Sequence, residues 1–293
     1  MQKKSFVLGT VILMLSNFAV RALGFVYRVF LSNKLGAEGM GIFQLIMPIY
    51  SLIILTLTSG ISIGVSKMAA EEMAHNNRTN VRRITAYSAA LTIMAGALVS
   101  CFLYININYV ASNILHDERT YLSLLILVPT IPIIAAASAV RGYFYGTQQV
   151  MAPAISQIAE QAVKMVIVMA LASVFIPKGL EYACALATLG MVAGEIINLA
   201  VLMPIYFLKN KNIKKGHREK RISRRRTILS KLIKIAIPVS ANRFVVSALS
   251  SIEHIAIPSM LVIGGLDYSS SMETFGKLSG MALPLILFPS LVT

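Results

Sequence analysis

The sequence predicts an all-α polytopic membrane protein, a helical bundle with about eight transmembrane segments. Three observations carry that reading. The 293 residues are 56% hydrophobic, with a mean hydropathy of +0.73. Only 13% are charged, where a soluble domain carries roughly 25%. Apolar runs of 18 or more residues recur along the chain, each long enough to cross a hydrocarbon core about 30 Å thick. The short alternating strands of an outer-membrane barrel are absent.

The first predicted span covers 6–30. Its start, MQKKSFVLGTVILML, has the charged and apolar regions of a signal peptide. No small-x-small cleavage pattern follows before Arg21 and the helical pattern continues, so an uncleaved helix is the better reading. A polar turn, SNKLGAEGMG, leads to the second span at 41–65. Spans at 84–108, 121–141, 152–176 and 182–207 follow. The basic run KNKNIKKGHREKRISRRR then separates two parts of the chain. The expected organisation is a first six-helix lobe over 1–208, a cytoplasmic linker over 209–230, and the start of a second lobe over 231–293. That second part opens with a span at 234–263 and continues into an eighth near 279. Each part pairs a first helix with a second that carries a proline at a similar place, Pro48 and Pro284, and internal repeats of this kind are common in transporters. The sequence stops at Thr293 inside an apolar stretch, so the expectation is the N-terminal portion of a longer protein.

The net charge of +15 suggests nucleic acid until it is mapped. With the N-terminus inside, Lys3, Lys4, Lys67, Arg78, Arg82, Arg83, Arg141 and the twelve basic residues between Lys209 and Lys234 fall on one side. The other side holds Lys34, Arg119, Lys178 and Lys277. The positive-inside rule therefore places the N-terminus in the cytoplasm. The run at 209–226 is either a solvated linker that fixes topology or a polybasic segment held on anionic lipid. No aromatic side chains interleave it, which makes a nucleic-acid stacking surface the weakest of the readings. Cys101 and Cys184 lie in separate apolar spans and read as small buried residues, not as a disulfide or a metal site.

Charges within spans are the most informative residues, because burial of an arginine at mid-bilayer costs about 2.5–3.5 kcal/mol on insertion scales. In FAVRALGFVYRVFLSNKLG, Asn17, Arg21, Gly24 and Arg28 share one helical face, with the arginines about 10 Å apart along the axis. The seventh span places Ser240, Arg243, Ser247, Ser250 and His254 on one side, with Glu253 adjacent. The fifth carries Gln157, Glu160, Gln161 and Lys164, and the sixth Glu195 and Asn198. Such stripes are expected to face one another across a wet cavity. Guanidinium matches phosphate oxygens in bidentate fashion and keeps its charge on burial, so Arg21, Arg28 and Arg243 are candidate contacts for an anionic ligand. Arg28 could instead snorkel to the headgroups. Glu160 and Lys164 form a favourable i, i+4 pair that either lines the cavity or neutralises itself. Glu253 and His254 are candidates for proton coupling or for anchoring at the interface. Glu195 with Asn198 is a candidate interhelical clamp. No P-loop and no HExxH appears, so neither a catalytic residue nor a metal is expected, and energy would come from a gradient.

Three stretches carry a family resemblance: AVRALGFVYRVFLSNKLGAEGMGIFQLIMPIYSL, VRGYFYGTQQVMAPAISQIAEQAVKM and IKIAIPVSANRFVVSALSSIEHIAIPSM. Together they resemble the stage V sporulation protein B group, in the oligosaccharide-flippase branch of the MOP, MATE-like superfamily. The resemblance covers essentially the whole chain. It implies two six-helix lobes plus further C-terminal spans, of which this chain holds the first lobe and the start of the second. It implies alternating-access flipping of a lipid-linked anionic saccharide for cell-wall or spore-cortex assembly, in the cytoplasmic membrane, with membrane lipids and wall-synthesis proteins as partners and a proton or sodium ion as the possible coupling ion. Related lipid II flippases carry an RxLGFxR-like first helix, which Arg21, Gly24 and, with one extra residue of spacing, Arg28 match. Their second helix carries an acid and an arginine. GMGIFQLIMPIYSLIILTL has neither, a departure that counts against lipid II itself as cargo. The first helix lacks the acid common in cation-coupled multidrug exporters, the alternative function. A non-transporting scaffold for wall synthesis, recruiting through 209–226, is the second alternative.

Overall fold

The computed structural model describes residues 2–211 and 224–287. Among the described residues, six helices are long and apolar enough to cross a membrane. They are α1 (Gln2–Ala74), α2 (Arg78–Ile105), α3 (Glu118–Gly146), α4 (Met151–Phe175), α5 (Leu180–Lys211) and α6 (Arg225–Ile263). A shorter α7 (Tyr268–Phe275) continues through a π-helical turn, Gly276–Ala282, into Leu283–Leu287.

At 73 residues, α1 is two spans joined end to end. Gly36 breaks it at φ 69°, ψ −175°, a left-handed conformation that costs glycine little and other residues more. Arm 1 (2–35) and arm 2 (37–74) contain the predicted spans at 6–30 and 41–65. The eighth segment opens at Tyr268, about ten residues before the expected start. At the linker, α5 is described to Lys211 and α6 from Arg225. The linker's central residues 212–223, and residues 288–293 of the eighth span, lie outside the described residues.

Contacts fix the direction of each segment. Arm 2 and α6 are antiparallel: Gly60 meets Ala236, Gly64 meets Leu232, and Ser251 Oγ donates to the Pro48 carbonyl at 3.0 Å. Arm 2 and α3 are parallel, with Gly142 against Ser62 and Gly146 against Ser66. Helices α2 and α3 are antiparallel, with Gly96 against Pro132 and Ser100 Oγ donating to the Val128 carbonyl at 2.8 Å. Parallel to α3, α5 brings Tyr206 edge-on to Tyr143 at 4.9 Å and packs Met191 in the cluster of Leu124. Helix α4 runs antiparallel to α5 and parallel to arm 1. Parallel to arm 2, α7 places Met272 on Gly41 and lets Gln44 Nε2 donate to the Ser279 carbonyl at 2.7 Å.

Every consecutive segment therefore reverses direction. The segments that the charge count assigned to one side do meet at one end, where Arg78, Arg82, Arg83, Lys209, Lys211, Arg225 and Lys231 gather. Gly36, residues 106–117, Gly179 and Gly264–Gly265 turn the chain at the other.

Helix α3 is the most enclosed span. Small residues, Ala135, Ala137, Ala139, Gly142 and Gly146, let its neighbours approach closely. This is how membrane helices associate when lipid removes the hydrophobic drive between them. The same logic accounts for Gly60-Ile61-Ser62-Ile63-Gly64. The run spells GxSxG, the pattern of a hydrolase nucleophile turn that requires a strand-to-helix elbow. Here it lies inside an unbroken helix and its glycines pack against α6. Cys101 is exposed, contrary to its reading as buried; Cys184 is buried and its thiol points at the Gly39 carbonyl, 3.4 Å away.

Candidate functional site

The polar residues of arm 1, α4 and α5 converge where those helices pack. Gly24 faces Gln161 of α4: a Cβ there would meet Gln161 Nε2 at an ordinary 3.5 Å. One turn on, the Lys164 ammonium lies 5.3 Å from the centroid of the Tyr27 ring, a cation–π geometry. On the far side of α4, Gly190 and Gly194 of α5 pack against Lys164 and Glu160. Asn198 Nδ2, fully buried, donates to Glu160 Oε2. Glu195 lies within electrostatic range of Glu160, Arg141 and Lys164, and Lys164 within range of Arg28. Tyr50 of arm 2 closes the set, within range of both glutamates and Arg141.

Glu160 and Lys164 are thus brought together with Arg28, but not as the expected intrahelical pair. Glu160 turns to Asn198 and Lys164 to Tyr27. The clamp expected of Glu195 with Asn198 is made by Glu160 with Asn198. Four buried polar atoms around this cluster have no hydrogen-bond partner among the described residues: Tyr27 Oη, Gln161 Nε2, Glu195 Oε2 and Asn198 Oδ1. Buried polar atoms are nearly always satisfied, so the cluster has unused capacity for a small polar occupant.

The other candidates sit apart from it. Asn17 and Arg21 are exposed on arm 1. Arg243 and Glu253 are exposed on α6, which packs along arm 2 and α7. His254 Nδ1 lies 2.8 Å from the Ser250 carbonyl, with its ring 6.2 Å from Phe275. Among the described residues, Arg21, Arg28 and Arg243 form no ion pair.

Sequence reading missed a second cluster at the end opposite the basic one. Arg119 contacts Asp117 Oδ2 at 2.8 Å and Glu38 Oε1 at 2.9 Å. Tyr268 Oη donates to Asp117 Oδ2 at 3.0 Å, which ties the start of α7 to the turn before α3. It also missed Tyr27, Tyr50 and Arg141 as members of the first cluster. Arg141 stood only as a topology charge, and the adjacency of Tyr27 to Arg28 was the one available signal.

The polysaccharide biosynthesis protein family matches residues 6–289. The chain belongs to that family. This member of the polysaccharide biosynthesis family is 32% identical over 294 residues to stage V sporulation protein B of Bacillus subtilis (strain 168), covering 100% of this chain and 57% of that protein. It is 27% identical over 216 residues to the lipid II flippase MurJ of the same organism, covering 69% and 39%. The chain spans little more than half the length of stage V sporulation protein B. Its fold is similar to that of a multidrug resistance MATE family transporter of the MOP superfamily solved in an inward-facing conformation, with a TM-score of 0.69 at 15% identity over 95% of this chain and 63% of that one. A Pyrococcus furiosus MOP superfamily transporter, described by a binding pocket of reversed polarity, aligns with a TM-score of 0.64 at 14% identity over 97% and 68%.

Proposed function

We propose that this chain forms the first part of a flippase or exporter that moves a lipid-linked anionic saccharide or peptidoglycan precursor across the cytoplasmic membrane. The observation that carries it is the polar face of arm 1. Arg21 is open on that face and Arg28 borders the glutamate–lysine cluster, in a helix otherwise apolar enough to span. An arginine in such a helix must be served by water, headgroups or an anion. A cargo diphosphate supplies that anion in bidentate form. Arg21 and Arg28 would be its primary contacts on this lobe and Arg243 its contact on α6, with Asn17 and Gly24 shaping the surface. Stage V sporulation protein B and the lipid II flippase as relatives support this reading over a multidrug exporter.

Coupling is assigned to the Glu160–Glu195 pair, with Lys164 and Asn198. Lys164 and Arg141 already face the two carboxylates. A proton therefore fits this balanced set better than a sodium ion, which needs net negative charge to be held. Glu253 and His254 sit on α6 and are assigned no step.

Translocation of a fluorescent lipid diphosphate in proteoliposomes tests both assignments, using the longer protein that contains this chain. Arg21→Ala and Arg28→Ala should each slow flipping at least about tenfold, the loss of one charged contact. Wild-type rates in both variants would sink the cargo site. Glu160→Gln should abolish the dependence on an imposed pH gradient while leaving gradient-free equilibration intact. A sodium requirement that survives Glu160→Gln would rule the proton assignment out.

A further inference from the structure

The basic end of the bundle holds a partly open cavity of about 230 Å³ between arm 2, α2, α3 with the turn after it, and α5. It is separate from the arm 1 cluster. Its polar walls are Arg78, Tyr143, Thr147, Gln149, Lys209 and Asn210. Three of these, Tyr143, Thr147 and Gln149, come from VRGYFYGTQQ, part of one of the stretches that carry the family resemblance, and the proposed transport gives none of the three a role.

Each wall has a definite chemistry. Arg78 opens α2 directly after the Asn77 cap, where the helix dipole also favours negative charge. Lys209 approaches from the last turn of α5. Neither cation has a carboxylate partner among the described residues. The acid nearest in sequence to Arg78, Glu72, accepts from Asn80 Nδ2 at 3.3 Å. The Tyr143 side chain is buried, within electrostatic range of Arg78, and its hydroxyl reaches only Asn210 Oδ1 at a long 3.5 Å. Asn210 is buried too, and its own amide is committed to the Tyr206 carbonyl at 2.9 Å. The Tyr143 proton is therefore the freer one. Gln149 Oε1 is buried with no partner among the described residues. A half-turn of that amide exchanges its oxygen for its nitrogen, so Gln149 can present either an acceptor or a donor there.

We propose that this cavity is a phosphate site. Arg78 from α2 and Lys209 from α5 hold the charge, Tyr143 and Gln149 supply neutral donors, and the remaining volume accommodates a short hydroxylated substituent. Two cations on different helices with neutral donors between them suit a tetrahedral dianion or diester, whose oxygens point in several directions, better than a planar carboxylate. The same chemistry is offered by free phosphate at the aqueous face or by the headgroup of an anionic lipid such as phosphatidylglycerol. Because all the walls belong to the first lobe, the site reports on that lobe independently of cargo transport.

The test is thermal unfolding of the purified chain in nanodiscs. Phosphatidylcholine discs are titrated with sodium phosphate against sodium chloride of equal ionic strength, and a second series replaces part of the lipid with phosphatidylglycerol. The site predicts a saturable rise in Tm of about 2–4 °C in at least one series. Half-saturation should move about tenfold higher in Arg78→Gln and in Lys209→Gln, and less in Tyr143→Phe. Arg225→Gln, at the same end but outside the cavity, should behave as wild type. A rise with sodium phosphate in phosphatidylcholine discs identifies free phosphate, and one confined to phosphatidylglycerol discs identifies the headgroup; both support the site. Absence of any rise overturns it. So does a rise unchanged in both Arg78→Gln and Lys209→Gln, or one that Arg225→Gln removes equally.

Discussion

Arm 1 and α6 read alike in sequence, each an apolar span with a polar stripe and at least one arginine, yet the fold gives the stripes different surroundings. Arg28 of arm 1 borders a cluster built with α4 and α5, where Asn198 clamps Glu160 and Lys164 covers Tyr27. On α6, Ser247 and Ser251 are buried against neighbours while Arg243 and Glu253 stay exposed. The difference lies in what the neighbouring helix presents. At Gly24, arm 1 faces Gln161, a polar side chain of α4. At Gly60 and Gly64, arm 2 packs its glycines against α6 at the Ala236 carbonyl, Ser240 Oγ and the Leu232 side chain, and offers Ser240 no side chain in return. A polar stripe becomes a network only where the helix beside it presents polar side chains of its own.

The largest break in this comparison comes from Asn198→Ala. It leaves the Glu160 carboxylate without its buried donor, and thermal unfolding should show a loss of about 1.5–3 kcal/mol, the value of a hydrogen bond to a charged group. Gly60→Ala should cost a comparable or slightly smaller amount, about 1–3 kcal/mol from overpacking, because its Cβ would lie 2.3 Å from the Ala236 carbonyl oxygen. Gly24→Ala sharpens the contrast in the other direction. Its Cβ meets Gln161 at an ordinary 3.5 Å, so the helix should gain about 0.5–1 kcal/mol. Arg243→Ala should change unfolding by no more than about 0.5 kcal/mol, as for an exposed side chain without a partner. The smallest effect belongs to the cap of α7. Hydrogen bonds from Ser270 hold the exposed Asp267 carboxylate below its usual range. Its contribution is therefore present above the unfolded value of about 3.9 and fades as pH falls through the lower folded one. Asp267→Asn should flatten that acid limb, read by unfolding between about pH 5 and 2.

The spans and their alternation were legible because membrane burial writes long apolar runs directly into composition, and because basic residues mark one end of such a bundle. Asn17, Arg21, Gly24 and Arg28 could be placed on one face from helical periodicity alone. The partners of that face could not. Asn198 meets Glu160 across 38 residues and Tyr268 meets Asp117 across 151, and no local pattern encodes such pairs. Glu160 and Lys164 show the limit most clearly. Their i, i+4 spacing offered a pair within one helix, but α5 and arm 1 each presented a better-placed group. The sequence by itself determined that these helices form, which of their ends share a side, and that two arginines lie on one face of arm 1. Only the tertiary structure decided which polar groups have partners, because that depends on where glycines and alanines let particular helices approach closely enough for side chains to meet.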